Sequence, residues 1–199
     1  MTLERVLEPE VMDSVSEAQD YDSMDHRAVN QLFVNDLLEA GELGIQVLDL
    51  GTGTAQIPVQ LCRQHDTCQV MAIDLAAHML DFARYNIEAE GLIERIFLQQ
   101  IDSKELLFDT ESFDTVMSNS IIHHIPQPHT VLSEALRVTR TGGLLFFRDL
   151  LRPDTSEQVT QLVQQYAGSE NEHQKQMFDD SLRAALSLDE IRQLITDLG

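Results

Sequence analysis

The chain lacks tryptophan, has two cysteines, and sets 13 basic residues against 34 acidic ones among its 199. Each scarcity excludes something. Two thiols, Cys62 and Cys68, are too few for a disulfide framework and read as reduced cytosolic cysteines. A net charge of −21 repels phosphate backbones, so nucleic acid is not an expected partner. No apolar run approaches the roughly 20 residues of a membrane span, and no membrane association is expected. The opening residues, MTLERVLEPEVMD, lack a basic stretch followed by an apolar one. They read as neither a signal nor a transit peptide, and a cytoplasmic location is expected. Hydrophobic residues at 43% argue against disorder despite the charge. The length suits a single domain over residues 1–199, large enough to hide about 70% of its unfolded surface.

Along the chain, residues 1–42 read as an N-terminal helical cap. Its periodic part, Ala28 to Ala40, carries Val29, Leu32, Phe33, Leu37 and Leu38 at helical spacing. Short apolar runs then alternate with helical stretches. Strands are predicted at 46–50, 69–74, 95–101, 113–119 and 143–148. Helices are predicted at 55–64, 78–90 and 130–138, with a weak turn or helix near 104–107. This rhythm predicts a three-layer α/β/α sandwich with a doubly wound, mainly parallel sheet. After Pro153 the pattern is helical, at 155–166, 181–186 and 188–198, where Ser187 or Asp189 is the expected cap. No strand follows, so the fifth strand is expected at a sheet edge and the final C-terminal strands are expected to be missing.

Asp49-Leu-Gly-Thr-Gly-Thr-Ala55 joins a strand to a helix. Gly51 and Gly53 permit positive φ and close approach of a ligand to the backbone. The loop does not match the dinucleotide fingerprint, because Gln56 stands where a third small residue belongs. It lacks the lysine of a P-loop. Asp49 disfavours a pyrophosphate beside it but not a cationic ligand. Asp74, ending the second strand, is a candidate acceptor for ribose hydroxyls. Asp102, followed by Ser103 after the third strand, is a candidate acceptor for an adenine amino group.

Together these ends make a ribose-and-adenine site without a phosphate site, and here the chain resembles the class I S-adenosyl-L-methionine-dependent methyltransferases. The family's first motif is similar to Val47-Leu-Asp-Leu-Gly-Thr-Gly-Thr54, and its second-strand acid matches Asp74 in Ala72-Ile-Asp-Leu75. Its third-strand acid matches Asp102. Its fourth-strand signature resembles Phe113-Asp-Thr-Val-Met-Ser-Asn-Ser120, continuing into Ile121-Ile-His-His-Ile-Pro126, and Ala135 to Leu144 resembles the turn into its fifth strand. The likeness covers Leu43 to Leu150, the expected cofactor-binding core, with 151–199 as the helical C-terminal part. It implies a Rossmann-like fold with S-adenosyl-L-methionine as cofactor. Asp49, Gly51, Thr52 and Gly53 would flank the methionine part, with Asn119 nearby. Asp74 would hold the ribose, Leu75 and Met79 would pack beside the adenosine, and Asp102 and Ser103 would border the adenine.

Methyl transfer from a sulfonium is an in-line displacement that chiefly needs a positioned nucleophile. His123 and His124, just after the fourth strand, are the candidate catalytic bases. No metal is expected: a site from His123, His124 and His129 fits no zinc spacing. Tyr21 and Asp22 are candidates for a lid over the cofactor. Arg148, Asp149 and Arg152 read as surface ion pairs, and Met71, Met79 and Met117 as core filler. The expected acceptor is a small molecule. A non-catalytic cofactor-binding domain and a nicotinamide-dependent oxidoreductase are the competing readings. Oligomeric state is not readable from these residues.

Overall fold

The computed structural model describes residues 3–8 and 13–199. Residues 1–2 and 9–12 of the expected N-terminal cap lie outside the described residues. The elements are α1 (Val15–Ser23), α2 (Arg27–Ala40), β1 (Gln46–Leu50), α3 (Gln56–Gln64), β2 (Gln69–Asp74), α4 (Ala77–Ala89), β3 (Ile96–Gln100), β4 (Phe113–Asn119), a single 3-10 turn (Ile122–His124), α5 (Pro128–Val138), β5 (Thr139–Arg148), α6 (Ser156–Tyr166), α7 (Glu172–Ala184) and α8 (Leu188–Leu198). The chain divides into two compact units. One comprises Met12–Asn119 with Thr130–Arg148, and the other Met1–Val11, Ser120–His129 and Asp149–Gly199.

The first unit is built on a five-stranded sheet of order β3-β2-β1-β4-β5. Every neighbouring pair is parallel. The chain moves outward from β1 through β2 to β3, then crosses back to β4 on the other side of β1. Right-handed crossovers therefore put α3 and α4 on one face and α5 on the other. Alternate residues of the central strand serve both layers. Val47 joins the cluster of Phe33, Val34 and Leu37 from α2, Leu61 from α3 and Ala83 and Ile87 from α4. Leu48 and Leu50 point the opposite way and are also fully buried. A strand covered on both faces is apolar almost throughout, as β1 is. Met79 and Met117 are buried, as core filler should be, while Met71 is half-buried.

Polar ties set the irregular joints. Asp114 accepts the N–H groups of Ile45 (2.9 Å) and Gln46 (2.8 Å), holding the entry to β1 beside β4. Buried Thr115 donates to the carbonyl of Leu43 at 2.6 Å. The segment near 104–107 is turns rather than a helix. Arg137 of α5 donates to the carbonyls of Phe108 (2.8 Å) and Leu106 (3.0 Å), and Glu134 accepts the N–H of Leu106 at 2.9 Å. β5 begins at Thr139 rather than 143, because Thr139 already pairs with Phe113 before a register shift brings Leu144 opposite Thr115. It lies at the sheet edge, as expected.

The second unit is helical apart from an isolated parallel bridge between Leu151 and Leu186. α6, α7 and α8 all start with reciprocal capping boxes, Thr155 with Gln158, Asn171 with Gln174, and Ser187 with Glu190. The box at Asn171 starts α7 well before the expected 181, on a polar stretch that carries little apolar periodicity. Arg152 is buried rather than superficial, and donates to both oxygens of Glu190 at 2.9 Å. Arg5 gathers three carbonyls, of Ala184 (2.6 Å), His123 (3.1 Å) and Ile125 (3.1 Å).

Leu48→Ala is expected to cost about 2–5 kcal/mol, because the central strand cannot move to fill the void. A lower urea midpoint at unchanged slope is the measurement; an unchanged midpoint would contradict the burial of both faces.

Candidate active site

The site grows from the reversal of strand order beside β1. Strands leave β1 in two directions, so no crossover helix closes the space above its carboxyl end. An open cleft lies there, lined by Tyr21, Asn30, Asp49, Gly51, Thr52, Thr54, Gln56, Ile57 and Asn119. β1 supplies Asp49, β4 supplies Asn119, and the loop between β1 and α3 supplies the floor.

That loop uses three left-handed residues, Gly51 (φ 69°), Gly53 (φ 55°) and Ala55 (φ 59°). Glycine takes this conformation without a Cβ penalty; Ala55 adopts it at the N-terminus of α3. Hydrogen bonds fix the turn. Thr52 donates its N–H to Ile73 at 2.9 Å, and Gly53 donates to Oδ2 of Asp74 at 2.8 Å. The other oxygen of Asp74 accepts the N–H of Ala76 at 2.9 Å. Asp74 thus links the end of β2 to the glycine loop and to the start of α4.

The electrostatics are one-sided. Asp49 is 3% exposed, and no described cation pairs with it. Burial pushes its carboxyl up to about 7, the Asp74 carboxylate adds to the rise, and the Thr52 hydroxyl opposes it. Burial also raises Asp74, against the pull of backbone N–H groups from Ala76, Gly53 and Leu75. Burial of the Tyr21 phenol, with Asp74, Asp49 and Asp22 nearby, pushes it up to about 12, so it stays a neutral donor. The Thr54 hydroxyl is buried without a hydrogen-bond partner among the described residues. A buried polar atom lining a cleft in this way calls for a ligand or water.

Of the residues expected from the sequence, Asp49, Gly51, Thr52 and Asn119 line the cleft. Gly53 and Asp74 join it through their mutual bond. Met79 is buried and Leu75 exposed at the β2 end. Asp102 and Ser103 follow β3, where Asp102 accepts the N–H of Lys104 (2.9 Å) and faces its ammonium at 3.3 Å. Tyr21 lines the cleft and lies 3.6 Å from where a Cβ on Gly53 would stand. Asp22 holds the wall behind it, accepting from Gln56 (3.2 Å) and Asn86 (3.0 Å). Asn30 donates to Gln56 at 3.2 Å, and Asn86 also donates to the Thr54 carbonyl at 3.0 Å. Asn30, Gln56 and Asn86 are positions in the cleft's hydrogen-bond network that periodicity could not find, since they are polar residues on otherwise ordinary helices. Gln56, read from the sequence only as an obstacle to close packing, is the hub of this network.

The candidate bases belong to the other unit. His123 is 2% exposed, and its Nδ1 lies 2.5 Å from Oδ1 of Asp149. Its Nε2 lies 3.5 Å from Oε1 of Glu8, and Nδ1 of His124 lies 3.1 Å from the same oxygen. Arg148 pairs instead with Asp36 and lies over the Phe33 ring, 5.7 Å from its centroid.

An open parallel sheet with a polar cleft at its switch point defines a cofactor-binding α/β domain of the doubly wound class. The profile of the methyltransferase domain family matches residues 48–147, and the chain belongs to that family. A phosphatidylethanolamine N-methyltransferase of Cereibacter sphaeroides is 39% identical over 101 residues, 50% of this chain and 48% of that protein. A malonyl-[acyl-carrier protein] O-methyltransferase of Laribacter hongkongensis is 30% identical over 177 residues, 77% of this chain and 58% of that protein. The chain spans about half the length of the curated relatives it matches. Among solved structures, a SAM-dependent methyltransferase from Aquifex aeolicus shares the fold with a TM-score of 0.71 at 19% identity, over 94% of this chain and 88% of that one.

Asp49 has a native pKa near 7 against an ordinary 3.8, so the folded state holds a proton that the unfolded state releases between those values. Its burial is harmless below about pH 4 and destabilises progressively as pH rises through 7. Asp49→Asn is expected to raise the melting temperature clearly at pH 8 and little at pH 4. An equal gain at both would remove the titration from Asp49.

Proposed function

We propose that the chain catalyses S-adenosylmethionine-dependent methyl transfer to a small-molecule acceptor by in-line displacement. The observation that carries this reading is a buried carboxyl, Asp49, without a described cationic partner, in a cleft that also holds the unpartnered Thr54 hydroxyl. Those residues fit a ligand that is cationic at one end and rich in hydroxyl and amine donors and acceptors at the other. When bound, S-adenosylmethionine supplies a methyl group already activated on a sulfonium.

The chain's own residues bind and orient. Asp49 balances the cationic methionine moiety, and Gly51, Thr52 and Gly53 bring the backbone close to it, with Asn119 across the cleft. Asp74 uses two lone pairs on Gly53 and Ala76 and keeps others for the ribose hydroxyls. Leu75 and Met79 flank the adenosine, and Asp102 and Ser103 border the adenine. Tyr21, held neutral, closes the cleft as a donor. Positioning of this kind supplies about 7–11 kcal/mol of barrier lowering, and a base is needed only for a nucleophile whose proton has a high pKa. The relatives named above include an N-methyltransferase and an O-methyltransferase.

Calorimetric titration tests this. S-adenosylmethionine and S-adenosylhomocysteine are expected to bind at micromolar concentrations, and NADH is not. Asp74→Ala is expected to weaken both by about 10–100-fold, the loss of charge-assisted hydrogen bonds of roughly 1.5–3 kcal/mol. Near pH 7 a cationic ligand draws the Asp49 proton off, so the binding enthalpy should vary with the ionisation enthalpy of the buffer, and Asp49→Asn should abolish that variation. Binding of NADH in place of the sulfonium, or full affinity in folded Asp74→Ala, would sink the assignment.

A further inference from the structure

Outside the cleft, the second unit brings three ligand-type side chains to one point. Oε1 of Glu8 lies 3.1 Å from Nδ1 of His124 and 3.5 Å from Nε2 of His123. We propose that Glu8, His123 and His124 form a binding site for a divalent metal ion of the zinc type, with Asp149 positioning His123 behind it.

Three observations carry this. The first is spacing. Zinc bonds of about 2.0–2.1 Å to imidazole and carboxylate put tetrahedral ligands roughly 3.3–3.4 Å apart. The two observed separations bracket that edge, and all three ligand atoms lie within 4.8 Å of one another. The second is polarity. Asp149 is tied as an acceptor, taking the N–H groups of Ile122 (2.6 Å) and Leu150 (2.7 Å). It therefore takes the proton of His123 Nδ1, which leaves the Nε2 lone pair facing Glu8. Acceptor opposes acceptor there, and buried Oε1 of Glu8 receives no aligned hydrogen bond from the described residues. A cation between them relieves that opposition. The third is the supporting shell. A carboxylate behind a ligating histidine fixes its tautomer and strengthens its donor nitrogen. Ser181 holds the far oxygen of Glu8 at 3.3 Å.

Two histidines and a glutamate leave a fourth position for water or an oxygen ligand. Glu8, not His129, is the third ligand-type residue grouped with His123 and His124. Ligation uses the ring nitrogens a base would need, and the site stands independently of the methyl-transfer reading.

The test uses the full chain, stripped with a chelator and titrated with Zn²⁺ by calorimetry and with Co²⁺ by absorption. One equivalent is expected at micromolar affinity or better, with a raised melting temperature. The cobalt spectrum should be tetrahedral and free of a thiolate charge-transfer band. Glu8→Gln and His124→Ala, checked by circular dichroism, should weaken binding by about 100-fold or more. Asp149→Asn should weaken it by about 10–100-fold while leaving the stoichiometry at one. No binding below millimolar metal would mean that a proton alone bridges Glu8 and His123, and would overturn the site. So would a thiolate band, which places the metal at Cys62 and Cys68, or binding indifferent to the Glu8 and His124 substitutions.

Discussion

The reversal of strand order beside β1 is the constraint on which the functional architecture rests. Two chain directions depart from one central strand, and right-handed crossovers send their helices to opposite faces. The strand must then be apolar on both sides, which Val47, Leu48 and Leu50 satisfy. It must also end at a gap that no helix covers. Asp49 is the one polar residue of β1 beyond its first position, and it lies beside that gap. A carboxyl there is costly to fold around, since burial disfavours its charged form and raises its pKa.

Around Asp49 the loop is held by groups that belong to other elements. Asp74 takes the N–H of Gly53, and Asn86 takes the carbonyl of Thr54. Gln56 and Asp22 bring α1 against the start of α3. A left-handed residue at 51, 53 and 55 is tolerable because these bonds over-determine the turn. The loop's shape is therefore fixed by the chain's own hydrogen bonds.

The helical unit solves a different problem. Its helices are short and polar, and their capping boxes supply the order that apolar periodicity does not. Arg5 clamps three carbonyls, and buried Arg152 bridges the carbonyl of Ala185 and the carboxylate of Glu190. Among so many fixed donors and acceptors, Glu8 and His123 stand out as two facing acceptors, the arrangement on which the proposed cation site rests.

The order of strands and helices in the core was legible in the residues themselves, because a run such as Gln46–Leu50 followed by a glycine turn and a helix has few ways to fold. Asp49, Gly51, Gly53 and Asp74 were legible too, since backbone freedom and strand ends are local properties. The extent of α7 was not, because its signal is a pair of side-chain-to-backbone bonds at Asn171 and Gln174 rather than a hydrophobic stripe. The third ligand-type residue beside His123 and His124 was equally out of reach, since nothing near them in the chain announces Glu8. Sequence alone determined the α/β class, the glycine loop between β1 and α3 and the family resemblance, because those depend on spacing along the chain. Only the tertiary structure decided that Gln56 is a hub, that the Asp49 carboxyl is buried, and that distant Glu8 meets the His123-His124 pair. Burial and convergence are properties of how segments pack, and the sequence order of those segments does not encode them locally.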